Sequence, residues 1–265
     1  MPELPEIEAF RRQFDTSAIG RRVDSVDVAD EPVLAGRSAR ELRQATAGDA
    51  FCKVLRHGKL LFARTNGGTW VVFRFGMTGR IAMLEPDGDP PDHTRIMFGF
   101  NDGGRMAFDD QRKFGSVELA ADVEIYLERN DIGPDALGVC EHRFRRIIGC
   151  TRGQVKPALM DQSKLSGIGN VYSDEILYQA GIRPDAKGQA LDDGQLERLH
   201  GQMRMVLETA INRIATGKDL PDDWLTPHRG KDGKCPDCGE PLERKRISGR
   251  TAWFCPRSQH HGQAG

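Results

Sequence analysis

Residues 51–64 read FCKVLRHGKLLFAR, two short runs of apolar and β-branched residues on either side of Gly58-Lys59. Runs of this length around a glycine-containing two-residue turn predict a β-hairpin. Similar runs precede it at Val23–Val28 and follow it between glycine-rich turns to about residue 120, as TWVVFRF, RIAML, RIMFGF and RMAFDD. The pattern predicts an antiparallel β-sandwich or barrel.

Helical patterns lie on both sides of these strands. Ile7, Phe10 and Phe14 recur at spacings of three and four behind Pro5 and predict an amphipathic helix that ends near Asp15. After about residue 135 the pattern predicts helices over 156–161, 170–180 and 192–216. Residues 220–234, LPDDWLTPHRGKDGK, have the Pro, Asp and Gly content of a linker.

Composition limits the class of protein. The 265 residues carry 38 Lys+Arg against 39 Asp+Glu, so the total charge does not indicate a polyanionic partner. The segment from His228 to Arg257, however, contains eight basic residues and only four acidic ones, as in a phosphate-contacting module. No apolar run approaches the roughly 20 residues that cross a bilayer, and the N-terminus lacks a signal-peptide pattern. We therefore expect no membrane partner and a cytoplasmic, nucleoid-associated protein.

The C-terminal segment has the cysteine spacing of a zinc ribbon. Cys235 and Cys238 form a C-x-x-C knuckle, and Cys255 follows after sixteen residues, but Ser258 stands where a fourth cysteine is expected. His260 or His261 could complete a three-cysteine, one-histidine site for one structural Zn²⁺. A three-ligand site closed by water and a ribbon without metal stay open as alternatives.

A glycine loop in LSGIGNVYSDE, residues 165–175, indicates a phosphate contact. Gly167 and Gly169 allow backbone N–H groups to face one way, and Asn170 begins a helix whose positive end favours an anion. Lys156, just upstream, adds a cation. Together these residues predict a clamp on a DNA backbone.

The order of these motifs resembles one family. MPELPE, HGKLLF, FGMTG, QRKFG, VKPALMDQ, GIGNVYSDE and GRTAWFC span nearly the whole chain, and the chain is similar to the formamidopyrimidine-DNA glycosylase and endonuclease VIII family of helix-two-turn-helix repair enzymes. The resemblance implies an α+β fold with three domains. These are an N-terminal helix and antiparallel β-sandwich over 1–131, a helix-two-turn-helix domain over 132–225, and a zinc-ribbon-like hairpin over 226–265.

The resemblance also implies a bifunctional DNA glycosylase and abasic-site lyase of base excision repair. Removal of Met1 would expose the nitrogen of Pro2 as a nucleophile for C1′ of the damaged nucleotide. Glu3 would protonate the sugar ring oxygen, and Glu6 would support the site. Lys59 matches the family's lysine that contacts the phosphate of the lesion.

Four further residues match DNA contacts of the family. Met77, Arg112 and Phe114 correspond to the side chains that fill the gap left by a flipped base, although Met77 and Phe114 could instead be core residues. Arg250, at the tip of the predicted ribbon, corresponds to an arginine that reaches toward the minor groove. The implied partner is damaged double-stranded DNA, bound by a monomer.

Substrate preference rests on two local features. The MPELPE start is closer to the formamidopyrimidine branch, which favours oxidised purines such as 8-oxoguanine and formamidopyrimidines. The segment ATGKDLPDDWLTPHRGKDGK is short and lacks the Gly-Thr-rich loop common in enzymes that act on 8-oxoguanine. An endonuclease VIII-like enzyme for oxidised pyrimidines or abasic sites and a catalytically silent damaged-DNA-binding protein therefore stay open.

Overall fold

The computed structural model describes residues 1–261, which fall into two compact units. One covers Met1–Asn130 and the other begins at Asp131. The second unit contains both the helical segment and the C-terminal hairpin, and the division of the chain into three domains stays a prediction. No helix of the described residues is both long and apolar enough to cross a bilayer.

The first unit consists of two four-stranded antiparallel sheets and three α-helices. The bounds are α1 Leu4–Ser17, β1 Val23–Val28, α2 Ala39–Thr46, β2 Phe51–His57, β3 Leu60–Thr65, β4 Trp70–Arg74, β5 Arg80–Leu84, β6 Thr94–Phe100, β7 Arg105–Asp109, β8 Ser116–Ala120 and α3 Val123–Arg129. The two sheets have the strand orders β1-β6-β7-β5 and β2-β3-β4-β8. The predicted hairpin is confirmed, since His57 pairs with Leu60 across the turn.

Aromatic side chains join the two sheets and α1 in one core. The ring of Phe73 on β4 lies 6.3 Å from that of Phe98 on β6 and 5.9 Å from that of Phe108 on β7. Phe14 of α1 meets Phe51 of β2 at 5.1 Å. All five rings are fully buried, so the sandwich is closed by apolar surface from both sheets and from the first helix.

The sheet formed by β2, β3, β4 and β8 is covered on its other face as well. This explains why residues 69–75, TWVVFRF, form an almost continuous apolar run. Phe62 packs edge-on against Trp70 and against Tyr126 of α3. Burial raises the pKa of Tyr126 to about 12. The sequence analysis identified neither α3 nor α2 nor β8, because each spans only five to eight residues. The capping box Ser38-x-x-Glu41 at the start of α2 is a signal that could have identified that helix.

Between Asp131 and His261, the second unit contains four α-helices and a two-stranded hairpin. The bounds are α4 Glu141–Gly149, α5 Val155–Met160, α6 Asn170–Gln179, α7 Asp193–Ala215, β9 Glu243–Ile247 and β10 Arg250–Phe254. Three of these helices were predicted to within one residue, and α4 was not. In the turn between β9 and β10, Ser248 and Gly249 both have positive φ angles, as a two-residue hairpin turn requires. The predicted α+β class is therefore confirmed.

The predicted linker over 220–234 is wrong as a description of this segment. Trp224 and Leu225 are buried, and a single 3₁₀ turn covers Thr226–His228. The buried carboxylate of Glu175 on α6 accepts hydrogen bonds from the backbone N–H groups of Leu225 (3.3 Å) and Thr226 (2.8 Å). The segment is therefore fixed against α6, a contact that its Pro, Asp and Gly content does not reveal.

Truncation of Phe73 tests the assignment of the core. We expect Phe73→Ala to lower the free energy of unfolding of the first unit by about 3–5 kcal/mol, because a fully buried ring leaves a cavity. The matched control is Phe114→Ala, whose ring is 60% exposed and whose loss is expected to change the free energy by less than about 0.5 kcal/mol. Urea unfolding followed by tryptophan fluorescence measures both, and equal losses would contradict this core.

Candidate functional site

The first turn of α1 brings two acidic residues together directly after Pro2. Glu3 is the residue that precedes the helix, with an extended backbone (φ −113°, ψ −174°), and its N–H donates to Oε2 of Glu6 at 2.8 Å. Glu3 is 2% exposed, Pro2 is half-buried and Met1 is 48% exposed. A buried carboxyl group thus lies one residue from the predicted nucleophile, at the positive end of a helix dipole.

Lys59 lies in the turn between β2 and β3. Gly58, before it, has φ +56°, a value that suits glycine at the first position of a tight turn. Arg56 donates from Nη1 to the carbonyl oxygen of Gly58 (3.3 Å) and from Nε to Glu8 Oε2 on α1 (3.3 Å). Both side chains of this ion pair are nearly buried, so it fixes the Lys59 turn to the helix that begins after Glu3.

The three predicted wedge residues lie in two loops of the first unit. Met77 follows β4 and is half-buried, while Arg112 and Phe114 follow β7 and are exposed. The guanidinium carbon of Arg112 lies 5.1 Å from the centroid of the Phe114 ring. The alternative that Phe114 is a core residue is therefore wrong, since 60% of it faces solvent.

Lys156, which the sequence predicts as a cation of the DNA clamp, is buried. Its Nζ lies 2.5 Å from Asp174 Oδ1 and donates to Ser173 Oγ at 2.9 Å, and its side chain is 1% exposed. A buried, charge-paired ammonium is not available to a phosphate. The prediction of a direct DNA contact by Lys156 is corrected accordingly, because the spacing on α5 did not show which face of that helix is buried.

Asp174 is the acceptor around which this part of the second unit is organised. Besides Lys156, it contacts Arg229 Nη2 at 3.1 Å and accepts the backbone N–H of Trp253 on β10 at 3.2 Å. Burial raises the pKa of Asp174, and the two cations oppose that shift. One carboxylate therefore ties α5, α6, the segment before the ribbon and the ribbon strand together. Nothing in the amino-acid sequence indicates this role, apart from an acid that lies among the apolar residues of α6.

The glycine loop before α6 is held by a residue that the sequence analysis missed. Gln162 accepts the N–H of Gly167 (3.0 Å) and donates to the carbonyl oxygens of Met160 (2.7 Å) and Ile168 (2.9 Å). Gly167 has φ +115°, which favours glycine, but its N–H group is bound to Gln162 and does not contribute to an anion site. Gly169 and Asn170 stay at the N-terminus of α6, as predicted from the sequence.

Three cysteines converge in the ribbon. The sulfur atoms of Cys235, Cys238 and Cys255 all lie within 4.8 Å of one another, and those of Cys238 and Cys255 are 3.5 Å apart. Ser258 faces the group, with its Oγ 3.7 Å from Cys235 Sγ and its N–H donating to Cys255 Sγ at 3.4 Å.

The surroundings of Cys235 favour a thiolate. Burial of Cys235 opposes ionisation, but hydrogen bonds from Tyr178 and from the backbone of Cys238 and Asp237 lower its pKa to about 7. Burial also raises the pKa of the Tyr178 phenol, so that its hydroxyl stays a donor toward this sulfur. Thiolates are the form in which cysteines bind a metal.

The expected histidine ligands lie elsewhere. His260 is exposed and its backbone pairs with Gly181 and Arg183, while His261 Nδ1 lies 3.8 Å from Asp185 Oδ1. Among residues 1–261, the group of close metal-ligating side chains at the ribbon contains the three cysteines and no histidine. The buried side chain of Gln259, between Ser258 and His260, accepts the N–H of Cys255 at 2.8 Å and donates to the carbonyl oxygen of Ile182 at 2.8 Å.

Arg250 is exposed at the start of β10, directly after the Ser248-Gly249 turn. On the paired strand β9, Arg244, Lys245 and Arg246 are also exposed. Lys245 is bound to Asp185 at 2.7 Å. Basic side chains are therefore concentrated along this hairpin, as the sequence predicted for this segment.

Both units of the chain match domains of a known protein family. Residues 1–117 match the formamidopyrimidine-DNA glycosylase N-terminal domain, and residues 132–221 match the formamidopyrimidine-DNA glycosylase H2TH domain. The chain is 33% identical to the formamidopyrimidine-DNA glycosylase of Halorhodospira halophila over 277 residues, which cover 98% of this chain and all of the relative.

Two solved structures have a similar fold. One is MutM in complex with DNA that contains carbocyclic 8-oxo-G, with a TM-score of 0.88 and 26% identity. The other is the Lactococcus lactis Fpg in complex with DNA that contains an abasic site, also with a TM-score of 0.88 and 26% identity. Each alignment covers 97% of this chain and 99% of the other. The chain belongs to the formamidopyrimidine-DNA glycosylase family of base-excision-repair enzymes.

Removal of the buried ammonium tests the corrected assignment of Lys156. We expect Lys156→Met to lower the free energy of unfolding by about 3–5 kcal/mol, because it leaves part of the buried Asp174 charge uncompensated. Arg204→Met is the matched control, since its pair with Glu208 is half exposed, and we expect a loss below about 1 kcal/mol. Urea unfolding measures both variants. A stable Lys156→Met protein with weakened DNA binding would restore the original prediction.

Proposed function

We propose that this protein excises oxidised purines from duplex DNA and then cleaves the strand at the resulting abasic site, with Pro2 as the nucleophile. The observation that carries the proposal is the start of α1, where Pro2 directly precedes a buried Glu3 whose N–H is bound to Glu6. The names of the relatives and the 8-oxo-G and abasic DNA in similar structures support this substrate class.

The proposed reaction begins once Met1 has been removed. The nitrogen of Pro2 attacks C1′, a C–N bond forms, and the bond to the damaged base breaks. The departing base keeps the electron pair of the broken bond and takes up the proton that the Pro2 nitrogen loses. The lone pair of that nitrogen then expels the ring oxygen, which Glu3 protonates as the sugar opens, and an iminium remains at C1′. The iminium acidifies the C2′ protons, and removal of one of them expels the 3′ phosphate. The helix dipole disfavours the ammonium form of Pro2 and so favours the nucleophile.

The remaining candidate residues suit the handling of DNA, and of these Arg112, Phe114 and Arg250 are exposed. Lys59, in the turn fixed by Arg56, is proposed to contact the phosphate of the lesion. Met77, Arg112 and Phe114 are proposed to fill the space left by the flipped nucleotide. Gly169 and Asn170 at the start of α6 and Arg250 at the hairpin tip are proposed to bind the DNA backbone and minor groove. A single chain carries all of these groups, so we propose a monomer.

Borohydride trapping tests the chemistry. We expect the methionine-processed protein to form a covalent band with duplexes that contain 8-oxoguanine or an abasic site, because borohydride reduces the iminium to a stable amine. Pro2→Gly is expected to diminish the band, and Glu3→Gln to slow excision by about 10²–10⁴-fold by loss of the acid. The readout is the yield and rate of the protein–DNA band, with intact mass to verify loss of Met1.

Pro90→Gly is the matched control, since Pro90 lies in an exposed loop and is expected to leave the band unchanged. A band on the abasic duplex alone would support the lyase activity. It would also indicate that the excised base is a damaged base other than 8-oxoguanine, such as an oxidised pyrimidine. DNA binding without any band would overturn the enzyme proposal and favour a silent damaged-DNA-binding protein.

We also propose that the ribbon holds one structural Zn²⁺ through Cys235, Cys238 and Cys255, with Ser258 as the fourth ligand. Tetrahedral Zn–S bonds of about 2.3 Å imply ligand-to-ligand distances of about 3.8 Å. The separation of 3.5 Å between Cys238 and Cys255 and that of 3.7 Å between Cys235 Sγ and Ser258 Oγ both fit such a site. Bound zinc would stabilise the hairpin that carries Arg250.

Substitution of the fourth position tests this site. We expect one zinc per chain by elemental analysis, and an affinity at least about tenfold higher in Ser258→Cys, because a thiolate replaces a neutral hydroxyl. Ser248→Cys, in the exposed hairpin turn, is the matched control and is expected to leave the affinity unchanged. Competition with a chromogenic chelator measures the affinities. A folded wild-type ribbon without zinc would contradict the assignment.

A further inference from the structure

A fully buried carboxylate lies behind the two loops that carry Met77, Arg112 and Phe114. Asp110 directly follows β7 and has no exposed surface. Its Oδ1 accepts the hydroxyl of Thr78 at 2.5 Å, and its Oδ2 accepts the N–H of Gly115 at 2.7 Å. Thr78 belongs to one loop and Gly115 to the other, so the two oxygen atoms of one carboxylate bind one loop each.

Thr78 extends this connection to Arg112. Its Oγ1 accepts the backbone N–H of Arg112 at 3.0 Å. A hydroxyl group has one proton and two lone pairs, so donation to Asp110 leaves Thr78 able to accept from Arg112. The hydrogen bonds therefore run in one direction, from the Arg112 N–H through the Thr78 hydroxyl to the carboxylate.

The two loops also meet backbone to backbone. Gly76 has φ +56°, and a Cβ atom built there would lie 2.5 Å from the carbonyl carbon of Phe114. A Cβ atom on Gly115 would lie 2.7 Å from the carbonyl oxygen of Arg74. Neither position accepts a side chain, so the loops approach too closely to shift independently. Arg95 of β6 donates from Nε to the carbonyl oxygen of Asp110 at 2.9 Å. The backbone of Asp110 is therefore held by a third element as well.

We propose that Asp110 and Thr78 are positioning residues that hold Met77, Arg112 and Phe114 as one preorganised wedge. The inference rests on the proposed function, because it assigns a role to the support of the proposed wedge. The carboxylate is buried behind the loops and acts through Thr78 and the backbone, whereas Phe114 and Arg112 project into solvent. Side chains that enter a duplex act best when their backbone needs no reordering on insertion.

The hydroxyl of Thr78 can be removed with little change of shape. We expect Thr78→Val to slow single-turnover excision from a lesion-containing duplex by about tenfold or more. It should also reduce the fluorescence rise of 2-aminopurine opposite the lesion, which reports unstacking by the wedge. Thr78→Ser keeps the hydroxyl and is expected to restore both signals. Borohydride trapping on a single-stranded abasic oligonucleotide is expected to stay unchanged, because that substrate needs no wedge.

A double-mutant cycle separates positioning from general destabilisation. If Thr78 acts through the wedge, adding Thr78→Val to Phe114→Ala will slow excision little further than the larger single effect. Additive losses, a wild-type rate in Thr78→Val, or an equal loss on the single-stranded substrate would each overturn the inference. Asp110→Asn, verified as folded by circular dichroism, provides a second variant with the same expected pattern.

Failure of the proposed function would be visible separately. A wild-type protein that excises no base would reject the glycosylase proposal, whereas the 2-aminopurine signal on binding still reports insertion of the wedge. If wild type raises that signal and Thr78→Val raises it equally, the positioning role is rejected. If wild type binds the duplex and raises no signal, the wedge itself is rejected, and the inference with it.

Discussion

A carboxylate buried away from water must be satisfied by hydrogen-bond donors or cations, and this constraint fixes the loops of both units. An unpaired buried charge costs several kcal/mol, so each such group determines the position of its donors. Asp110 binds two loops of the first unit, and Asp174 and Glu175 bind the segment before the ribbon and the ribbon strand. Arg112, Phe114 and Arg250, the exposed candidate DNA contacts, lie in or beside the backbone segments that these hydrogen bonds hold in place.

The same constraint separates the basic residues into two groups. Lys156 and Arg229 face inward and neutralise Asp174, whereas Arg112 and Arg250 face solvent. The net charge of −1 therefore says little about DNA binding, because it does not separate the two groups. Basic side chains of the first group stabilise the fold, and those of the second are available to phosphates. Arg56 belongs to the inward group, where it connects the first helix to the turn that presents Lys59.

In the ribbon, the groups that call for a cationic partner are the sulfur atoms of three cysteines instead of carboxylate oxygens. Three thiol groups lie together in a small hairpin that has little apolar core of its own, and a metal ion is the usual means of stabilising such an element. Ser258 supplies a hydroxyl where the spacing calls for a thiolate, so the proposed site binds its metal with less charge compensation. Zinc bound at the proposed site would stabilise the hairpin that carries Arg250.

The sequence by itself determined the features that depend on local periodicity. The hairpin over 51–64, the helix behind Pro5, the apolar stripe of α7 and the C-x-x-C knuckle follow from spacings of a few residues. The shared order of the motifs also identified the family. Tertiary structure alone decided that Lys156 is buried, that the segment around Leu225 is fixed, and that Ser258 rather than His260 faces the thiols. Each of these outcomes depends on a partner far along the chain, such as Asp174 for Lys156 or Glu175 for Leu225, and spacing within a segment carries no information about such contacts.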